Sequence, residues 1–272
     1  MASLNLFSTL RKGSDPFGRV LRAVEPGVPT LSLALSRLLQ LIVVLALAAV
    51  VVVGAVVLSS NGGDTETPAA NAPTESGKTV AQEVEELYAD IPQKGNLLGK
   101  RNAPATVVEI ADLQCPFCAQ YSVGSLPTIV RDYVRTGKVN YELRIRSFLG
   151  RDSVRGSGAA AAAAKQARMF QFADLFYRNQ GPENSDYADD AFMRMVAEQV
   201  PGLDADAVVA AADDPLAQPA VERDEKYARE IGSTSTPDFY LKRGEQLTPI
   251  TPQGTSPEAY AAAIDAALAS SS

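Results

Sequence analysis

Cys115 and Cys118 are the only cysteines in a chain of 272 residues, and in the stretch ADLQCPFCAQY they are separated by Pro116 and Phe117. Two sulfurs at this spacing can cycle between dithiol and disulfide, ligate a metal, or clip a turn. Redox cycling needs one sulfur as a thiolate, its partner within reach, and an open face for the disulfide of another protein. A C-x-x-C pair at the start of a helix meets the first two needs. The first cysteine sits where unpaired backbone N–H groups and the positive end of the helix dipole favour negative charge, and the second lies one turn on. Cys115 is therefore expected to be the nucleophile and Cys118 the resolving thiol. Pro116 suits the first helical position, where a missing N–H costs little.

Histidine and tryptophan are absent from the chain. A zinc site needs four nitrogen or sulfur ligands, so here it would need carboxylates or a second chain. A purely structural C-x-x-C disulfide closes a very small loop and gains little loop entropy. The redox reading is favoured by the elements on either side. Residues 105–113, ATVVEIADL, are short, β-branched and apolar, as a buried strand would be. A helix is expected from about Pro116 to Thr136, kinked at Pro127 and capped by Gly137. Residues 138–148 alternate through Val139, Tyr141, Leu143 and Ile145 and read as a second strand, which makes a parallel βαβ unit.

Ahead of this unit, Val80, Val84, Leu87, Tyr88 and Ile91 mark one face of an amphipathic helix stopped by Pro92. After it, about 152–231 shows only helical patterns, including the alanine run 159–164, read as a strong helix former with no functional weight. DFYLKRGEQLTPI then gives two short strands with a turn at Arg243-Gly244, and 256–268 a closing helix with Ser256 as N-cap. The expected fold is α/β: βαβ, a helical block, then ββα.

Residues 1–59 carry five Lys/Arg against two Asp/Glu, which leaves 20 against 30 for the remainder. An acidic body without a basic stripe argues against nucleic-acid binding. From Leu38 to Ser60 no residue is charged, and the apolar run within this segment is long enough, as a helix, to cross a hydrocarbon core of about 30 Å. It is read as an uncleaved membrane-spanning helix over 38–59 rather than a signal peptide, whose apolar region is shorter and whose leader is brief. Arg11, Lys12, Arg19, Arg22 and Arg37 precede the span, and Asp64, Glu66 and Glu75 follow it. The positive-inside rule then places segment 1–37 in the cytoplasm, where it is expected to be disordered, and the C-terminal part outside. Residues 60–78, rich in Gly, Pro, Ser, Thr and acids, form a flexible tether, and 79–272 the extracytoplasmic domain. In a bacterial cell its cysteines face an oxidising compartment.

From about residue 95 onward, VVEIADLQCPFCAQY followed by STSTPDFYL resembles the DsbA-like branch of the thioredoxin superfamily. The resemblance implies a thioredoxin-like fold with an inserted helical block and a thiol:disulfide oxidoreductase activity. It implies that Pro237 is a cis-proline facing the dithiol and that Thr236 contacts the sulfur and the substrate backbone. Glu109, six residues before Cys115, matches a buried carboxylate that shuttles the proton of the resolving thiol in such proteins; Asp112 is the weaker second choice, more readily a cap or turn residue. The implied substrates are cysteine-containing exported proteins. The implied redox partner is a quinone-linked membrane oxidase of the DsbB or vitamin K epoxide reductase type, and no organic cofactor or metal is needed in the domain. Strongly oxidising members carry a histidine where this chain has Phe117. A less depressed Cys115 pKa and a less oxidising disulfide are therefore expected. Alternatives from the same residues are a reductase or isomerase, a redox-silent adaptor, or a metallochaperone, the last opposed by the C-x-x-C spacing and the missing histidine.

Overall fold

The computed structural model describes residues 77–270. The expected leader, membrane span and nearly all of the tether lie outside these residues. No helix among the described residues is long and apolar enough to cross a membrane.

Helix α1, Val80–Tyr88, opens with a capping box in which Thr79 and Gln82 bind each other's backbone N–H. It ends one turn before the expected stop, where Asp90 turns into the left-handed region at φ 62°. A hairpin of two-residue strands follows, β1 (Gln93–Lys94) and β2 (Leu97–Leu98), which the sequence did not announce. Strand β3, Thr106–Ala111, is buried throughout except for the half-buried Thr106. It leads into helix α2, Pro116–Gly124.

The single kinked helix expected over 116–136 is instead three pieces. Helix α2 stops at Gly124, helix α3 spans Leu126–Ile129 with Pro127 in its first turn, and a π turn covers Val130–Val134. Pro127 has no N–H to continue the ladder, and the Ser125 hydroxyl at the break donates instead to the Thr255 carbonyl at 3.0 Å. Strand β4, Asn140–Ile145, then pairs in parallel with β3. The alternation read from the sequence holds, since Val139, Tyr141, Leu143 and Ile145 are all buried.

The helical block comprises α4 (Arg151–Lys165), α5 (Met169–Arg178), α6 (Asp190–Glu198), α7 (Ala205–Asp213), a short 3-10 turn at Pro215–Ala217, and α8 (Pro219–Glu230). The alanine run does more than favour a helix. Its side chains are buried, and at Gly158 a Cβ would run into the Ala211 carbonyl and come within 2.9 Å of the Pro215 Cβ. Small residues here let α4 and α7 approach backbone to backbone.

The chain returns as β5 (Asp238–Arg243), a turn through Gly244, β6 (Gln246–Pro249) and helix α9 (Pro257–Ser270), with the Ser256 hydroxyl accepting from the Ala259 N–H. Among the described residues the six strands run in the order β1-β2-β4-β3-β5-β6, with β3 parallel to β4 and antiparallel to β5. Central β3 thus points its C-terminal end, and the loop carrying Cys115, at the start of β5.

Candidate active site

Cys115 is the N-cap of α2, with extended backbone geometry, and Pro116 takes the first helical turn. Its backbone N–H donates to the Asp112 carbonyl at 3.0 Å and its carbonyl accepts from Ala119 at 3.1 Å. The thiol is 4% exposed, whereas Cys118 is fully buried. Both are free thiols. Across from them the Thr236-Pro237 peptide bond is cis, and the Cys115 Sγ lies 3.4 Å from the Thr236 carbonyl oxygen. The sequence placed these residues 121 positions apart; the antiparallel pairing of β3 with β5 brings them together.

The thiols are driven apart in acidity. The Cys115 pKa is lowered to about 6, first by the hydrogen bond from Cys118, then by the Thr236 side chain and the N–H groups of Cys118 and Phe117, against the opposing effect of burial. Burial pushes Cys118 well above the ordinary thiol value, helped by its bond to Cys115 and by the nearby Glu109 charge. At pH 7 a thiol of pKa about 6 in place of 9 favours the reduced dithiol by about tenfold, roughly 30 mV of oxidising power. Thiolate absorbance of the reduced protein should titrate with a midpoint at about 6; a midpoint near 4, as a strongly stabilised thiolate would give, would contradict this electrostatic account. Phe117 acts on the thiolate through its backbone N–H, and its ring is 66% exposed.

Glu109 occupies the middle of β3 and is 2% exposed. Its Oε2 accepts the Tyr141 hydroxyl at 2.7 Å, and its Oε1 receives no hydrogen bond from the protein. Burial raises its pKa to about 8; the Tyr141 bond opposes this and the Cys115 charge adds to it. A buried carboxyl that titrates near neutrality, and whose charge both thiols sense, has the acidity for proton exchange in this site.

Asp112 is indeed a turn residue, with more partners than its sequence context implied. Its Oδ1 accepts from the Gln114 N–H at 2.8 Å and the Ser153 hydroxyl at 2.6 Å. Its Oδ2 accepts from the N–H groups of Phe148 and Leu149 at 3.2 and 3.3 Å. Gln180 from beyond α5 donates to the carbonyls of Leu113 and Cys115, and Tyr177 to that of Asp112. The active-site loop is therefore clamped from the segment after β4 and from the helical block. Apart from the Gln114 N–H, two residues on, none of these partners is signalled locally, because they lie 36 to 67 positions away.

The thioredoxin family model matches residues 93–266. The chain belongs to the thioredoxin family. It is a thiol:disulfide oxidoreductase of that family. A probable disulfide bond formation protein D of Bacillus cereus is 29% identical over 159 residues, which span 57% of this chain and 73% of the relative. Among solved structures, oxidised BdbD of Bacillus subtilis superposes with a TM-score of 0.56 at 20% identity, covering 64% of this chain and 93% of that one. The alpha-DsbA1 of Wolbachia pipientis gives 0.53 at 22% identity, covering 67% and 92%. At these identities the two structures speak for the fold.

Proposed function

We propose that the protein is a membrane-tethered, extracytoplasmic oxidase that donates the Cys115–Cys118 disulfide to cysteine pairs in exported proteins. The observation that carries this reading is the asymmetric dithiol: an acidic Cys115 at a helix N-terminus beside the Thr236 carbonyl, over a Cys118 held buried and protonated. The relatives named for disulfide bond formation support the direction, and the uncharged run 38–58 supports the tether.

In the proposed cycle a substrate thiolate attacks the Cys115 Sγ. The electron pair of the Cys115–Cys118 bond passes to the Cys118 Sγ, which takes the proton of Glu109. The substrate's second thiolate then attacks its own mixed-disulfide sulfur, and Cys115 leaves as a thiolate that its surroundings stabilise. The Thr236 carbonyl and cis-Pro237 line the path of the substrate backbone, and the exposed Phe117 and Phe148 rings offer it apolar surface. A quinone-linked membrane partner accepts the two electrons and two protons that restore the disulfide.

A Cys118→Ala variant, expressed as the full chain, should accumulate mixed disulfides between Cys115 and exported proteins, resolvable by dithiothreitol. Recovery of no such adduct under conditions where the variant is stably present would argue for a redox-silent adaptor.

A further inference from the structure

The buried carboxyl of Glu109 ends a chain of hydroxyls. The Tyr141 hydroxyl donates to its Oε2 at 2.7 Å, and the Tyr121 hydroxyl lies 3.0 Å from that of Tyr141. Tyr141 is fully buried and Tyr121 nearly so. The Tyr121 ring is fixed by Phe239 and Tyr260, with centroids 4.6 and 4.5 Å away. The register of β3 against β4 makes the first contact, since Val107 pairs with Tyr141 and Glu109 with Leu143 on one face of the sheet.

A carboxyl that gains and loses a proton while buried must keep a hydrogen bond in both states, or pay for an unsatisfied polar group. A tyrosine hydroxyl is both donor and acceptor. With Glu109 ionised, Tyr141 donates to it and Tyr121 donates to Tyr141. With Glu109 protonated on Oε1, Oε2 remains an acceptor, so the Tyr141 bond is kept in both states and is the stronger when the carboxylate is charged. We propose that Tyr121 and Tyr141 form a hydrogen-bond chain that lets Glu109 carry the Cys118 proton, with Tyr141 as the positioning residue that donates to Oε2 in both states and leaves Oε1 free for the dithiol. This inference rests on the proposed role of Glu109 and deepens it.

Among the described residues, the titratable groups that sense the Glu109 charge are, besides these two tyrosines, Cys115 and Cys118 on the active-site loop and α2. The remainder are Tyr88 of α1, Tyr177 of α5 and Tyr260 of α9. No cation stands among them, so the Tyr141 hydroxyl is the group whose bond stabilises the carboxylate.

The test is the pH dependence of Cys118 attack on a Cys115 mixed disulfide, the half-reaction in which Glu109 must accept the proton, in the full-length protein and in the Tyr141→Phe, Tyr121→Phe and Glu109→Gln variants. A hydrogen bond to a charged group is worth enough to shift a midpoint by about one to two units. Tyr141→Phe should therefore move the midpoint from about 8 upward by that amount. At pH 8 the rate should fall about five- to fiftyfold, with the loss shrinking as the pH rises. Tyr121→Phe should give a smaller shift of the same sign in a side chain that keeps its ring contacts. A Tyr141→Phe midpoint at the wild-type value, or a loss that is uniform across pH as a merely structural defect would give, overturns the chain. Glu109→Gln separates the two levels: loss of the midpoint there with no shift in Tyr141→Phe sinks this inference alone, and persistence of the midpoint in Glu109→Gln sinks the proton role of Glu109 and the chain together.

Discussion

Replacing Cys115 with serine is expected to abolish disulfide transfer to a reduced dithiol peptide. The disulfide itself can no longer form, and the sulfur that remains cannot substitute in exchange. Cys118 is fully buried and its thiol is held well above the ordinary range by that burial. At pH 7 a thiol of pKa about 6 is roughly nine-tenths ionised, whereas one above 9 is ionised by less than about 1%, so ionisation alone separates the two sulfurs by about a hundredfold. Burial adds to this by closing the approach. Peptide oxidation followed by thiol quantification checks the expectation. Residual transfer above a few per cent of wild type would mean that Cys118 reaches substrate, contrary to the asymmetry described above.

The second large effect is expected at Glu109. Glu109→Gln keeps the shape and the bond from Tyr141 but removes the exchangeable proton, and the attack of Cys118 on a mixed disulfide should slow by about a hundredfold, the lower range for loss of general acid–base assistance. Stability should move the other way. The Glu109 pKa is raised from 4.5 to about 8, mainly by burial. Below pH 4.5 both folded and unfolded chains hold the proton and nothing is lost. Between 4.5 and 8 the unfolded chain releases a proton that the folded chain retains, so the stability associated with the neutral form declines as the pH rises through the folded value. Glutamine has no such dependence. The variant should therefore gain on the wild type through this window, by on the order of a few kcal/mol above pH 8, as read by denaturant unfolding of the reduced proteins. A variant that is slower and also less stable at pH 8 would indicate that Glu109 is a structural polar residue.

What the sequence revealed follows from how local the physics is. Cys115 at an N-cap, Pro116 in the first turn and the alternation through Tyr141 and Leu143 are statements about neighbours in the chain, and the structure keeps all of them. The Gln93–Lys94 and Leu97–Leu98 strands are too short to carry a periodicity. The break after Gly124 follows from Pro127, which the sequence shows, but the bond at the break from Ser125 to Thr255 joins residues 130 positions apart. Three of the four acceptor contacts of Asp112, and the Glu109–Tyr141 pair, likewise become visible only when the register of β3 against β4, and the path of the chain after β4, are known. The alanine run was legible as helix but not as a close helix contact, because Gly158 reveals its purpose only against Ala211 and Pro215.

Donation of the Cys115–Cys118 disulfide is the central claim, and the redox state of this pair in living cells tests it most directly. Acid quenching followed by alkylation of free thiols distinguishes the two forms of the full-length protein by mass. A disulfide donor recharged by a membrane oxidase rests in the oxidised form, so the pair should be found predominantly as the disulfide at steady state. A pair found predominantly as two alkylated thiols would contradict the claim and assign the same site to a reductase or isomerase.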